Sequence, residues 1–156
     1  MGDRRQAREL ALMILYQLDV SKMTVEAGLT RAFAFFDGSE PVDPPPPFLE
    51  AVSDEPPPSP AAKVYAEALV RGVVTNQDAI DEALQKASTH WRLDRMARVD
   101  RNLLRLGAYE ILHAGEEIPR KVAINEAVEV AKRFGTQESP AFINGILDRL
   151  GKKDGG

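Results

Sequence analysis

Apolar residues recur three and four positions apart along nearly the whole chain and nowhere alternate in the manner of a strand, which restricts the chain to helical folds. Ala7, Leu10, Ala11, Ile14, Leu15 and Leu18 set one stripe on a helix from about Asp3 to Asp19. Thr24 can cap a second helix running to about Phe36. Ser59-Pro60 is a cap followed by a first-turn proline and opens a third, whose stripe is read through Val64, Ala68 and Leu69. A fourth, around Gln77 to Ala87, buries Ile80, Ala83 and Leu84. Asp94 is placed to cap a fifth that ends near Gly115, and its apolar arc through Met96, Val99, Leu103, Leu104, Leu106, Ala108, Tyr109, Ile111 and Leu112 is wide enough to require packing on more than one side. Gly107 inside that helix costs about 1 kcal/mol relative to alanine, which a close helix crossing would explain. A sixth helix begins after Pro119 and stops at Gly135, a residue type favoured just past a helix end. Ser139-Pro140 repeats the cap-then-proline device for a seventh, striped by Ile143, Ile146, Leu147 and Leu150. The expected fold is all-α, with about seven helices in a single domain spanning residues 1–156.

One segment breaks this pattern. Residues 37–60 hold nine of the eleven prolines, including the runs Pro44 to Pro47 and Pro56 to Pro58. Proline lacks a backbone donor and biases the preceding residue away from helix, so this stretch reads as a partly polyproline-II loop continuing neither neighbour. Pro44 and Pro47 have the spacing of a PxxP ligand, although an acidic solvated insertion is the plainer reading. Phe48 and Leu49 are placed to pin it to the body. The segment also carries Asp37, Glu40, Asp43, Glu50, Asp54 and Glu55 without a lysine or arginine, so the chain's net charge of −4 leaves +2 for everything else. The helical part is mildly basic.

Composition removes several functions. The chain has no cysteine and only two histidines, which excludes disulfides, thiol nucleophiles and thiolate metal sites. It has no GxxxxGK[ST], HExxH, GxSxG or GxGxxG motif. Adjacent carboxylates such as Asp81-Glu82 and Glu116-Glu117 would point about 100° apart on a helix and cannot converge on one proton. Neither His90 nor His113 has an evident catalytic partner. No run of about 18 apolar residues is present and the first residues are charged, so the expectation is a cytoplasmic, non-enzymatic protein without cofactor or membrane association.

Three segments carry a resemblance to a known family. Lys121 through Gly135, reading KVAINEAVEVAKRFG, precedes Ser139-Pro140-Ala141-Phe142-Ile143-Asn144-Gly145-Ile146-Leu147; Val99 to Glu110 forms a second match, and Arg4-Arg5-Gln6-Ala7-Arg8-Glu9-Leu10-Ala11 a third. In order and spacing they resemble the NusB family of transcription antitermination factors, over most of the chain outside residues 37–60. The resemblance implies two small helical sub-bundles sharing the long central helix. It also implies a partner, NusE, a small-subunit ribosomal protein, and a ligand, boxA single-stranded RNA in nascent ribosomal RNA transcripts. The setting it implies is the RNA polymerase antitermination complex, with support of rRNA maturation. Some members of the family self-associate, so a homodimer is open.

The resemblance also assigns roles to residues. Arg4, Arg5 and Arg8 match an arginine-rich arm that contacts RNA. Cations at a helix N-terminus oppose the helix dipole by about 0.3–1 kcal/mol each, so their placement is locally unfavourable; the plain alternatives are fraying into water or, for Arg8, a merely local pairing. Gln137, Glu138, Ser139 and Phe142 form a second RNA candidate. From pattern alone Phe142 is equally a core or a surface residue, and the resemblance turns it toward base stacking. Asp100 matches an acidic residue at the NusE contact; otherwise it is an exposed charge paired with Arg101 or Arg105. Tyr16, Tyr109 and Trp91 are read as core or interface area and not as RNA ligands. The competing reading from another class is a purely protein-binding helical adaptor, for which the arm and Phe142 are scaffolding.

Overall fold

The computed structural model describes residues 2–36, 57–114 and 117–150, and among these are seven α-helices, one 3-10 turn and no strand. Outside the described residues lie most of the proline-rich acidic segment, with Pro44, Pro47, Phe48 and Leu49, and also Gly115 and Glu116 at the expected end of the fifth helix. No helix among the described residues is long and apolar enough to cross a membrane. The chain forms two compact units, Met1–Val74 and Thr75–Gly156.

In the first unit, α1 spans Asp3–Ser21, α2 Val25–Phe36 and α3 Pro60–Thr75. Every residue from Ala7 to Leu15 of α1 is buried, so the helix is enclosed more fully than its expected stripe. It ends at Lys22, which adopts the left-handed conformation (φ 57°) and donates its N–H to the Leu18 carbonyl. The Thr24 hydroxyl accepts the Ala27 N–H at 3.1 Å, the expected cap of α2. Gly28 lets α2 approach α1: a Cβ there would lie 2.7 Å from Leu18 Cδ2. Ser59 caps α3 as expected, accepting the Ala62 N–H at 3.1 Å.

The stripe of α3 differs from expectation. Its buried residues are Ala62, Ala66, Leu69, Val70 and Val73, whereas Val64 is 71% exposed and Ala68 is also exposed. The helix is apolar on both faces, so two registers compete in sequence. Burial follows the face that carries Leu69, Val70 and Val73, since the larger apolar area gains more from leaving water.

In the second unit, α4 (Gln77–Ala87) is followed by the 3-10 turn Leu93–Arg95, α5 (Arg98–His113), α6 (Arg120–Phe134) and α7 (Ser139–Arg149). Asp94 does not cap α5; it lies in the 3-10 turn, paired with Arg92 at 2.9 Å. Leu93 is buried and its N–H is held by the Gln85 side chain, which draws the turn away from the helix start. The wide arc of α5 is realised in its middle, where it packs on α4, α6 and α7 and all residues from Asn102 to Ala108 are buried; Met96 lies outside the helix and Leu112, at its end, is exposed. Burial of Leu103, Leu104 and Leu106 contributes about 1.5–3 kcal/mol each. Gly107 sits at the crossing, where a Cβ would meet Leu147 Cδ1 at 2.7 Å and the Ala127 Cβ at 3.5 Å.

Two helix-end expectations change. Gly135 closes α6 in extended backbone (φ −94°, ψ −168°), so glycine is not required there for a left-handed turn. It is required for space: a Cβ would fall 2.5 Å from both Cβ and Oγ of Ser139. Ser139 is itself the first residue of α7 and not its cap. The far end of α7 is held by Arg120 at the start of α6, whose guanidinium donates to the carbonyls of Leu147, Asp148 and Leu150. Arg149 donates to the Ala87 carbonyl of α4 at 2.8 Å.

Candidate nucleic-acid interface

The arginine arm is helical from Asp3 and is fastened in place. Ser59 Oγ donates to the Asp3 carboxylate at 2.7 Å, and the Ser59 N–H donates to Gln6 Oε1 at 3.3 Å. Asp3 also puts an anion in the first turn, offsetting the arginines at the positive end of the helix dipole. Fraying of the arm into water is therefore not what the structure shows. Arg4 is exposed, with its guanidinium carbon 4.5 Å from the centroid of the Tyr65 ring, a cation–π geometry. Arg8 faces the same ring at 5.9 Å but is only 4% exposed, and Arg5 is half-buried. The three arginines thus present one outward guanidinium, one partly covered and one buried. Tyr65 has no signal in the sequence, because its role depends on α3 returning to the start of α1.

The second candidate is the turn from Gly135 into α7. Gln137 and Glu138 are exposed and Ser139 is buried. The Ser139 hydroxyl accepts the Thr136 N–H at 2.9 Å and donates to Asp100 Oδ1 at 2.7 Å. It is a hub that fixes the turn, with its donor already committed. Asp100, half-buried in the first turn of α5, is thereby joined to the turn itself rather than to Arg105, which instead makes a two-pronged pair with Asp81 at 2.8 and 2.9 Å. Arg101 reaches back to the carbonyls of Leu93 and Asp94. The candidate partner-contact residue and the candidate RNA-facing loop are one hydrogen-bonded structure.

Phe142 is half-buried, which resolves the ambiguity of its pattern in favour of partial display. Its ring meets Trp91 in an edge-to-face arrangement, with centroids 6.1 Å apart and planes at 86°. Trp91 is 61% exposed and is not a core residue. Nothing in its local sequence marks it as the neighbour of Phe142, since the contact depends on α7 packing beside α4. Between α4 and α5, a recess is lined by Asp81, Glu82, Arg92, Asp94, Arg101 and Arg105, of which Arg105 pairs with Asp81 and Arg92 with Asp94. His90 is exposed, and His113 stacks on Tyr109 with centroids 5.4 Å apart.

These features define a class: a small all-helical factor in two units, with a tethered arginine arm in one and an aromatic corner beside a fixed turn in the other. The chain belongs to the NusB family, whose family model matches residues 5–152. It is 45% identical over 150 residues to the transcription antitermination protein NusB of Myxococcus xanthus, covering 96% of this chain and 95% of the relative. The protein of the same name from Geotalea uraniireducens is 46% identical over 151 residues, covering 96% and 94%. Among solved structures, T. maritima NusB is similar with a TM-score of 0.72 at 34% identity, over 94% of this chain and 88% of that one. A structure of antitermination factors NusB and NusE in complex with dsRNA has a TM-score of 0.71 over 95% of both chains; at 24% identity that likeness is one of fold.

Proposed function

We propose that this protein is a non-enzymatic, cytoplasmic RNA-binding factor that pairs with NusE on boxA single-stranded RNA in nascent rRNA transcripts. There it supports antitermination within the RNA polymerase complex and maturation of the rRNA. The observation that carries the reading is the arm: Arg4 is kept at the wrong end of a helix dipole, exposed, and aimed by Tyr65 and by the ties from Ser59. A cation held exposed at this position is suited to an anionic ligand. Family membership agrees, since the relatives are named transcription antitermination proteins.

Roles divide by exposure. Arg4 and Arg5 meet phosphates, and buried Arg8 lends its charge from behind them. Phe142 stacks on a base, Gln137 and Glu138 border the strand, and Ser139 holds the turn that carries them. Glu138, an anion beside phosphates, tunes affinity downward. Asp100 faces NusE and, through Ser139, passes the firmness of that contact to the RNA-facing turn.

The test is binding of a boxA oligonucleotide across a salt series, with and without NusE. Two phosphate contacts on a single strand give a slope of log K against log salt of about −1.4, and three give about −2; the exposures favour the first value. R4A and R5A should each flatten the slope. A slope near zero, with affinity unchanged in both variants, would leave only the protein-binding adaptor.

A further inference from the structure

The structure assigns Trp91 a role beside Phe142: we propose that the two rings form a corner that seats one unstacked base of the RNA strand, a contact that rests on the function proposed above. Trp91 is the only tryptophan of the chain and is 61% exposed, although an indole is among the side chains that gain most from burial. It is not loosely placed. Its carbonyl accepts hydrogen bonds from Gln85 Nε2 and from Ser88 Oγ, both at 2.9 Å, and Ser88 is 2% exposed. Gln85 Oε1 then accepts the Leu93 N–H at 2.9 Å, so one α4 side chain grips the backbone at Trp91 and at Leu93.

The ring geometry fits a base. With planes at 86° and centroids 6.1 Å apart, a flat ligand lying parallel to one ring turns its edge toward the other. It then makes one stacked and one edge-to-face contact, both favoured by the aromatic quadrupole. Stacking is sequence-tolerant because every base has a π-face, and a backbone already held at the indole lowers the ordering cost of binding. Continuity favours RNA over a peptide as occupant. Phe142 opens the helix that follows the exposed Gln137-Glu138 turn, and His90 and Arg92 flank the indole on the exposed surface.

The experiment uses the full chain and a boxA single-stranded oligonucleotide. Because Trp91 is the sole tryptophan, intrinsic tryptophan emission reports this corner alone, and saturable quenching on RNA addition is expected. W91A should weaken binding by about 5- to 150-fold, the range for one lost stacked base, while W91F retains most of the affinity. Thermal melts verify that both variants fold; if W91A does not, wild-type quenching and the W91F affinity still decide. Wild-type RNA binding with unchanged emission and unaltered W91A affinity would overturn the role of Trp91 and leave the RNA-binding function standing. Absence of RNA binding by the wild type would overturn both. Quenching by NusE alone, with none by RNA, would make the corner a protein contact and overturn this assignment.

Discussion

Gly135 and Ser139 occupy the same small volume, and each explains the other. A methyl group on Gly135 would lie 2.5 Å from the serine side chain and 3.0 Å from the Ala131 carbonyl, and Ser139 is 1% exposed, with little room to yield. G135A should therefore lower stability by about 1–3 kcal/mol through overpacking. S139A should cost a similar amount, about 1–3 kcal/mol, by another route: it strips the Thr136 N–H and Asp100 of their partner. Because both changes damage one contact, the double variant should lose less than the two separate losses combined. Denaturant melts of the three proteins check this, and strict additivity would show that the two residues act apart. Sequence marks both positions, the glycine as a helix stop and the serine as a cap. It misplaces their function because neither the extended backbone of Gly135 nor the distant carboxylate of Asp100 leaves a trace in local pattern.

Helices are the level at which this chain is most legible. Seven were expected from periodicity and seven are present among the described residues, and the caps of α2 and α3 lie on Thr24 and Ser59 as read. Periodicity and capping are local, so the sequence records them. The inward face of α3 escaped because apolarity occurs on both sides of it, and only packing chooses between Val64 and Val70. Contacts between helices are likewise invisible in advance, as with Tyr65 under Arg4 and Trp91 against Phe142. A charged example joins α2 to α3. Arg71 donates to both oxygens of Glu26 and also to Glu67, which lowers the Glu26 pKa, chiefly by hydrogen bonding, and raises that of Arg71. A lowered carboxylate pKa adds stability that is fully present above the ordinary glutamate range and fades as pH falls through and below it. Both side chains are largely in water, so the effect is small. E26Q should melt slightly below the wild type at neutral pH, and the gap should narrow at an acid pH below the ordinary glutamate range. Thermal melts at the two pH values check it; a gap independent of pH would remove the ion pair as its cause.

At the scale of the whole molecule, the arm and the aromatic corner belong to different units, and each carries its own proposed contact with RNA. R4A and F142A then remove separate contacts, and the affinity loss of the double variant should be the product of the two single losses. Filter binding or fluorescence anisotropy with a boxA oligonucleotide measures all four proteins. If F142A leaves binding intact while R4A abolishes it, the strand engages the arm alone. The family match across residues 5–152 was legible because three motifs spread along the chain carry it. The division of labour among Arg4, Arg5 and Arg8 was not, since their unequal burial arises only on folding. A last consequence concerns the end of α7, where the carbonyls of Leu147, Asp148 and Leu150 rest in the grip of Arg120. Terminal turns ordinarily open first when a bundle breathes, but here the closing turn cannot lift unless a guanidinium loses several acceptors at once. Opening of α7 is thereby resisted at its closing turn, and Phe142, mounted on the same helix, shares that steadiness.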